Sequence, residues 1–175
     1  MKPKVIAVVG SRKVGKTTTA ENLVKELTDR GYRVATIKHV SEQDFTVDTP
    51  GKDTWRYAQK GAKTIIIISP NEIATIEKGN TENVSLQTLL KKCRENDVVL
   101  IEGLKKQVAR KTSIAKIAVV RSREETENAL TKYKPILAFS GPFNTEDLIF
   151  KIPYADALKN PQKLAEIVEK RIREK

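Results

Sequence analysis

The sequence predicts an α/β three-layer sandwich, in which helices cover a mainly parallel sheet and one antiparallel hairpin is added. Three observations carry that expectation. Short apolar runs rich in β-branched residues alternate with amphipathic segments along the chain, as repeated β-α-β units require. The first run, residues 5–9 (VIAVV), passes directly into Gly10-Ser11-Arg12-Lys13-Val14-Gly15-Lys16-Thr17, and a helix opens inside that stretch. One pair of runs is joined by Pro70-Asn71, a tight turn too short for a crossover.

Taken in order, Ala20, Leu23, Val24 and Leu27 share a helical face, and Gly31 closes that helix. Residues 33–38 (RVATIK) form the second strand and complete a right-handed β-α-β unit. Residues 39–53 are a polar loop with Pro50-Gly51 as a turn, and its length in a compact domain points to function or mobility. A short helix over 54–60 ends at Gly61. Residues 62–69, with four consecutive isoleucines, read as a fully buried strand, and 72–78 return as its hairpin partner up to Gly79-Asn80. A helix over 84–95 leads to 97–103 (DVVLIEG), a buried strand ending in an acid and a glycine.

Residues 104–112 are basic and read as loop, and 115–121 as a strand. Ser122 and Glu125 form a capping box that opens a helix to Tyr133. Residues 135–139 are the last strand, with Ser140-Gly141-Pro142 as its exit. Asn160-Pro161 pairs an N-cap with proline at the first helical position, and Leu164, Ile167, Val168 and Ile172 give the last helix one apolar face. No repeat, low-complexity tract or linker interrupts residues 1–175, which therefore read as one domain.

Composition narrows the function classes. With 33 basic and 22 acidic residues the chain carries +11, which suits nucleotides, phosphorylated cofactors or nucleic acid. Aromatics are only 5%, and no nucleic-acid module is present, so nucleic acid ranks last among these. Part of the excess is equally consistent with a heat-adapted Lys- and Glu-rich surface. No segment is long and apolar enough to span a bilayer, and Met1-Lys2-Pro3-Lys4 leads straight into the first strand without room for a signal peptide. The single cysteine, Cys93, falls on the apolar spacing Leu86, Leu89, Leu90 and reads as a buried thiol. A cytoplasmic protein is the expectation.

The chemistry concentrates at the first strand-helix junction. Residues 10–17 match G-x-x-x-x-G-K-[ST] in the strand-turn-helix context that a phosphate-binding loop needs. Gly10 and Gly15 let successive amides point into one concavity at a helix N-terminus. The expected nucleotide contacts are Gly10, Ser11, Arg12, Lys13, Val14, Gly15, Lys16, Thr17 and Thr18. Lys16 reaches the β- and γ-phosphates, and the Thr17 hydroxyl holds Mg²⁺. Glu102 ends an apolar strand, where a Walker-B acid sits, and either ligates Mg²⁺ through water or polarises an attacking water.

In a parallel sheet, ligands collect beyond the C-terminal ends of the strands, which adds Lys38-His39 and Ser140-Gly141 to the site. His39, the only histidine, is either a structural residue or a group facing the phosphates. Asp48, Lys52 and Asp53 are candidate phosphate, Mg²⁺ or switch residues in the polar loop. The basic run 105–111 borders the mouth, where it meets the nucleotide, a second phosphorylated substrate or a subunit partner.

These residues resemble the molybdopterin-guanine dinucleotide biosynthesis protein B family (MobB). The likeness rests on GSRKVGKTT at 10–18, VATIKH at 34–39, DTPGKDTWR at 48–56 with Gly61-Ala62, and DVVLIEGLK at 97–105. It covers the N-terminal two-thirds and fades beyond residue 112. Family members commonly carry further histidines where this chain has Val40-Ser41-Glu42-Gln43, and often aspartate at Thr46. The resemblance implies a Mg²⁺-dependent GTP-binding protein that hydrolyses weakly and forms a homodimer. It would be accessory to a nucleotidyltransferase that joins a guanine nucleotide to molybdopterin. By that analogy Lys16 and Glu102 serve hydrolysis, and His39 with Asp48–Asp53 forms the family's own site near the γ-phosphate or the pterin. The guanine-reading N-K-x-D motif does not occur, so base choice falls to other contacts, expected in the loop 140–144. A small P-loop kinase with 105–111 as its lid, and a non-catalytic nucleotide-dependent scaffold, are the alternatives. A metallochaperone fits poorly, since it needs clustered Cys and His.

Overall fold

The computed structural model describes residues 2–145 and 151–174. The chain divides into two units, Met1–His39 with Leu86–Lys175, and Val40–Ser85. The first unit holds β1 (Lys4–Gly10), α1 (Lys16–Asp29), β2 (Val34–Lys38), α3 (Leu86–Lys92), β5 (Val98–Glu102), α4 (Lys105–Val108), β6 (Ala115–Val119), α5 (Arg123–Lys132), β7 (Ile136–Ser140) and α6 (Pro161–Arg173). The second holds α2 (Asp53–Gln59), β3 (Thr64–Ile68) and β4 (Ile73–Glu77).

The five-stranded sheet of the first unit runs β2-β5-β1-β6-β7, and every neighbouring pair is parallel. β1 lies in the middle, and its side chains alternate between two cores. Ile6 and Val8 join Leu23, Leu27, Leu164 and Val168, the apolar faces of α1 and α6. Ala7 and Val9 join Cys93, Val99, Ala129 and Phe139 on the opposite face. Burial on both faces is why these strands read as unbroken apolar runs. The chain leaves β1 for β2 and β5 on one side and for β6 and β7 on the other. The C-terminal end of β1 is therefore a topological switch point, where open α/β sheets bind ligands.

Three expectations are corrected. Residues 104–112 are not loop throughout: Gln107 and Val108 donate their amides to the Leu104 carbonyl, and a four-residue helix forms because Val108 has a fully buried place to go. The helix expected over 84–95 is shorter, since the Cys93 carbonyl accepts from both the amide and the side chain of Asn96, and the chain turns off into β5. β3 is not fully buried. Within the second unit it pairs antiparallel with β4, Ile65 opposite Ile76 and Ile68 opposite Ile73. Ile65 is covered, whereas Ile66 and Ile68 are 62% and 75% exposed and Ile73 is 71% exposed, all on the other face. Four consecutive isoleucines satisfy the composition of a buried strand, but a two-stranded ribbon has only one face to cover.

Candidate functional site

The loop after β1 is built by backbone constraint. A Cβ at Gly10 would stand 2.5 Å from the Val119 carbonyl oxygen and 2.9 Å from Val14 Cγ1, so only glycine lets β6 come this close. Lys13 and Gly15 take left-handed backbone (φ 56° and 96°), which curls the amides between them into a concavity at the start of α1. Val14 is buried beneath the loop, while Arg12 and Lys13 are exposed on its outside. The Lys16 ammonium folds back and donates to the Ser11 carbonyl. Burial, then the neighbouring charge of Lys105, lowers its pKa; Glu102 and Glu125 oppose this, and Lys38 adds to it. Lys16 is thus a cation short of negative charge, which an incoming phosphate supplies.

Beside it, the Thr17 hydroxyl donates to Glu102 Oε1 at 2.8 Å, and Lys38 Nζ lies 3.4 Å from Glu102 Oε2. Sheet register makes this meeting: Glu102 lies opposite both Val8 and Lys38. A hydroxyl and a carboxylate that already touch are hard oxygen donors at the spacing a Mg²⁺ shell can use, so these residues fit that ion. His39 follows directly, its amide donating to the Glu102 carbonyl at 2.9 Å. A Cβ at Gly103 (φ 94°) would come within 2.8 Å of His39 Cβ, so the glycine after the acid is what lets the histidine sit at this strand end. His39 is exposed there.

On the other side of the loop, Ser11 Oγ donates to Glu125 Oε1 at 2.6 Å, and Arg121 donates its amide to Glu125 Oε2 at 3.0 Å. Burial alone would raise the Glu125 pKa, but the hydrogen bonds from Ser11 and Arg121, with the Arg121 charge, hold it below the usual carboxylate range. The expected capping box is half formed: Ser122 Oγ accepts from the Glu125 amide, while the Glu125 carboxylate turns to Ser11 and Arg121. The S-x-x-E spacing gave α5 its start. Its link to the phosphate loop needed the β1–β6 pairing, which the sequence does not spell out.

Of the basic run, Lys105 lines a cleft of about 270 Å³ with Ser11, Glu125, Asn128 and Lys132. Val108 is buried, and Arg110 donates to the Thr131 carbonyl. Thr18 lines a second cavity on the far side of the loop.

Asp48, Lys52 and Asp53 belong to the second unit and are organised among themselves. Asp48 Oδ1 accepts from the Thr54 hydroxyl at 2.8 Å and the Thr49 amide at 2.9 Å, while its buried Oδ2 has no protein partner among the described residues. Asp53 opens α2 and accepts the Thr54 amide, and the Lys52 carbonyl starts the helix by accepting from Arg56.

Residues 5–141 match the family model MobB, molybdopterin guanine dinucleotide synthesis protein B. The chain belongs to the MobB family. The match runs past residue 112 and takes in β6, α5 and β7. A molybdopterin-guanine dinucleotide biosynthesis adapter protein of Escherichia coli is 30% identical over 150 residues, 82% of each chain. One of Haemophilus influenzae is 34% identical over 105 residues, covering 59% of this chain and 58% of that protein. The chain thus spans less than two thirds of the latter's length. The crystal structure of Bacillus subtilis MobB superposes with a TM-score of 0.77 at 20% identity, covering 98% of this chain and 99% of that one, which shows a common fold. Among the described residues of this MobB-family chain, no helix is long and apolar enough to cross a membrane.

Proposed function

We propose that this chain binds Mg²⁺-GTP at residues 10–18, hydrolyses it slowly, and acts as an accessory to a nucleotidyltransferase that attaches a guanine nucleotide to molybdopterin. The observation that carries the reading is the convergence of Lys16, Thr17 and Glu102 at the end of β1, with Thr17 and Glu102 in contact at 2.8 Å. The amides and Lys16 would hold the terminal phosphates and Thr17 and Glu102 would hold a Mg²⁺, which would supply charge neutralisation to the phosphates. The relatives' adapter designation supports the accessory role. The MobB resemblance assigns His39, and Asp48, Lys52 and Asp53 of the second unit, to the γ-phosphate or the pterin; within the second unit the buried Asp48 Oδ2 is an acceptor without a protein partner among the described residues. The chain acts as a single nucleotide-binding domain and a homodimer in the cytoplasm, and the exposed isoleucine face of the β3–β4 ribbon supports self-association.

The kinase alternative needs a free lid at 105–111. Burial of Val108 and the anchoring of Arg110 speak for the accessory reading instead.

Calorimetric titration with GTP and Mg²⁺ tests the site. Wild-type protein should bind, and Lys16→Ala should lose at least 100-fold in affinity with its thermal midpoint unchanged. Affinity should also fall at alkaline pH earlier than an ordinary lysine would dictate, because Lys16 must be protonated to hold phosphate and its pKa is lowered. Equal affinity in the Lys16→Ala variant would remove the reading.

A further inference from the structure

The cavity on the far side of the phosphate loop has a definite chemistry. It encloses about 410 Å³ between Gly15, Thr18 and Thr19 on one wall and Gly141, Pro142 and Asp156 on the other. That volume lies in the range of small-ligand sites, about 300–1,000 Å³. Because the phosphate loop and the first turn of α1 form one wall, this space adjoins the loop that would hold a nucleotide's phosphates and is within reach of its base. Leu158 stands at the rim with 71% of its surface exposed, an apolar side chain placed to cover a planar ring.

The opposite wall is held rigidly. Ser140 Oγ accepts the Ala157 amide at 3.2 Å, and Asn22 of α1 donates to the Ala157 carbonyl at 2.8 Å, tying the turn to both β7 and α1. Asp156 Oδ1 accepts the amides of Leu158 at 2.9 Å and Lys159 at 3.4 Å. One carboxyl oxygen is therefore used to fix the side chain, and Oδ2 is the acceptor left for a ligand. No donor side chain competes for it among the hydrogen bonds of the described residues.

We propose that Asp156 selects guanine over adenine in this cavity, with Oδ2 accepting from the base and Leu158 packing on its face. This rests on nucleotide binding at the phosphate loop. Guanine presents donors at N1 and the exocyclic N2, whereas adenine presents a lone pair at N1. A carboxylate, which only accepts, rewards the first and repels the second. The chain lacks N-K-x-D, and this pinned aspartate supplies the equivalent acceptor from the turn after β7.

The test is titration of wild-type protein, Asp156→Asn, Leu158→Ala and Lys16→Ala with GTP, ATP, XTP and tripolyphosphate in Mg²⁺. Asparagine keeps Oδ1 for the turn but places a donor where Oδ2 was, matching the xanthine 2-oxo group. Asp156→Asn should lose at least tenfold in GTP affinity and bind XTP better than GTP, with ATP affinity not reduced. Leu158→Ala should weaken all three nucleotides and leave tripolyphosphate unchanged. GTP affinity that depends on Lys16 but not on Asp156, or equal GTP and ATP affinity in the wild type, overturns this inference alone. Indifference of every ligand to Lys16→Ala overturns the phosphate-site reading beneath it.

Discussion

Glu102 and Lys116 show how one residue's surroundings set what it can do. Glu102 touches Thr17 and lies near Lys38, which fixes its carboxylate between a hydroxyl and an ammonium; in the proposed role it would polarise the attacking water. Replacement by glutamine keeps the shape and removes the charge. GTP turnover by Glu102→Gln should fall about 100-fold, the scale of losing a general base, while GTP affinity changes far less. Single-turnover hydrolysis with direct binding separates the two, and unchanged turnover would exclude the role. Lys116 is wholly buried in β6, its ammonium donating to the carbonyls of Lys111 at 2.7 Å and Lys134 at 2.5 Å. Burial lowers its pKa from 10.5 to about 8. The unfolded chain then holds this proton more tightly than the folded one between those values, so stability rises with pH from about 8 to 10.5 and the penalty is constant below 8. The effect amounts to roughly 2–3 kcal/mol. Urea unfolding at pH 8 and pH 10 should show this gain in the wild type and not in Lys116→Met. Both predictions stand on residues of different legibility. Glu102 was readable because it closes an apolar strand, whereas Lys116 looks like any surface lysine in a chain with so many.

At the scale of elements, α5 and the phosphate loop act as one piece through Ser11 and Glu125. A hydrogen bond to an ionised partner is worth about 1.5–3 kcal/mol, so Glu125→Ala should lower stability by that order and loosen the loop. The loss should be greatest near neutral pH. A carboxylate with a depressed pKa contributes fully above its unfolded value and loses that contribution as pH falls through the folded one. A double-mutant cycle with Ser11→Ala, read by denaturant unfolding, should give a coupling of about 1 kcal/mol or more, and additive effects would show that the contact is idle. Legibility of the elements follows the same division between local and distant information. β1, β5 and β6 were plain because burial on both faces leaves no polar alternation, and Asn160-Pro161 fixed the start of α6, where Asn160 accepts the Lys163 amide. β3 misled because apolar composition says that a surface wants covering, not which molecule covers it. Gly141 and Pro142 of the loop 140–144 line the second cavity, whereas Asp156 reaches it through a turn with no sequence motif.

For the whole molecule, the remaining question is what meets the apolar face of the β3–β4 ribbon. Ile66, Ile68 and Ile73 lie on one side of that ribbon, with Ile68 directly opposite Ile73, and all three are exposed. A two-stranded ribbon is marginal by itself, and a contiguous apolar patch on a chain of net charge +11 is a surface that water does not favour. In the proposed homodimer, a second copy would bring the same face to a two-fold axis, and one patch would cover the other without any further partner. The like charge of two such chains opposes their approach, which would make that association salt-dependent in a defined sense: raising ionic strength would screen the repulsion and leave the apolar contact intact. Sedimentation of the wild type should therefore show a dimer that persists or strengthens from low to moderate salt. Placing lysine at both Ile66 and Ile68 should yield a monomer that still binds GTP with Lys16-dependent affinity. A wild-type monomer at every salt concentration, or a double variant that remains dimeric, would take the isoleucine face out of the assembly.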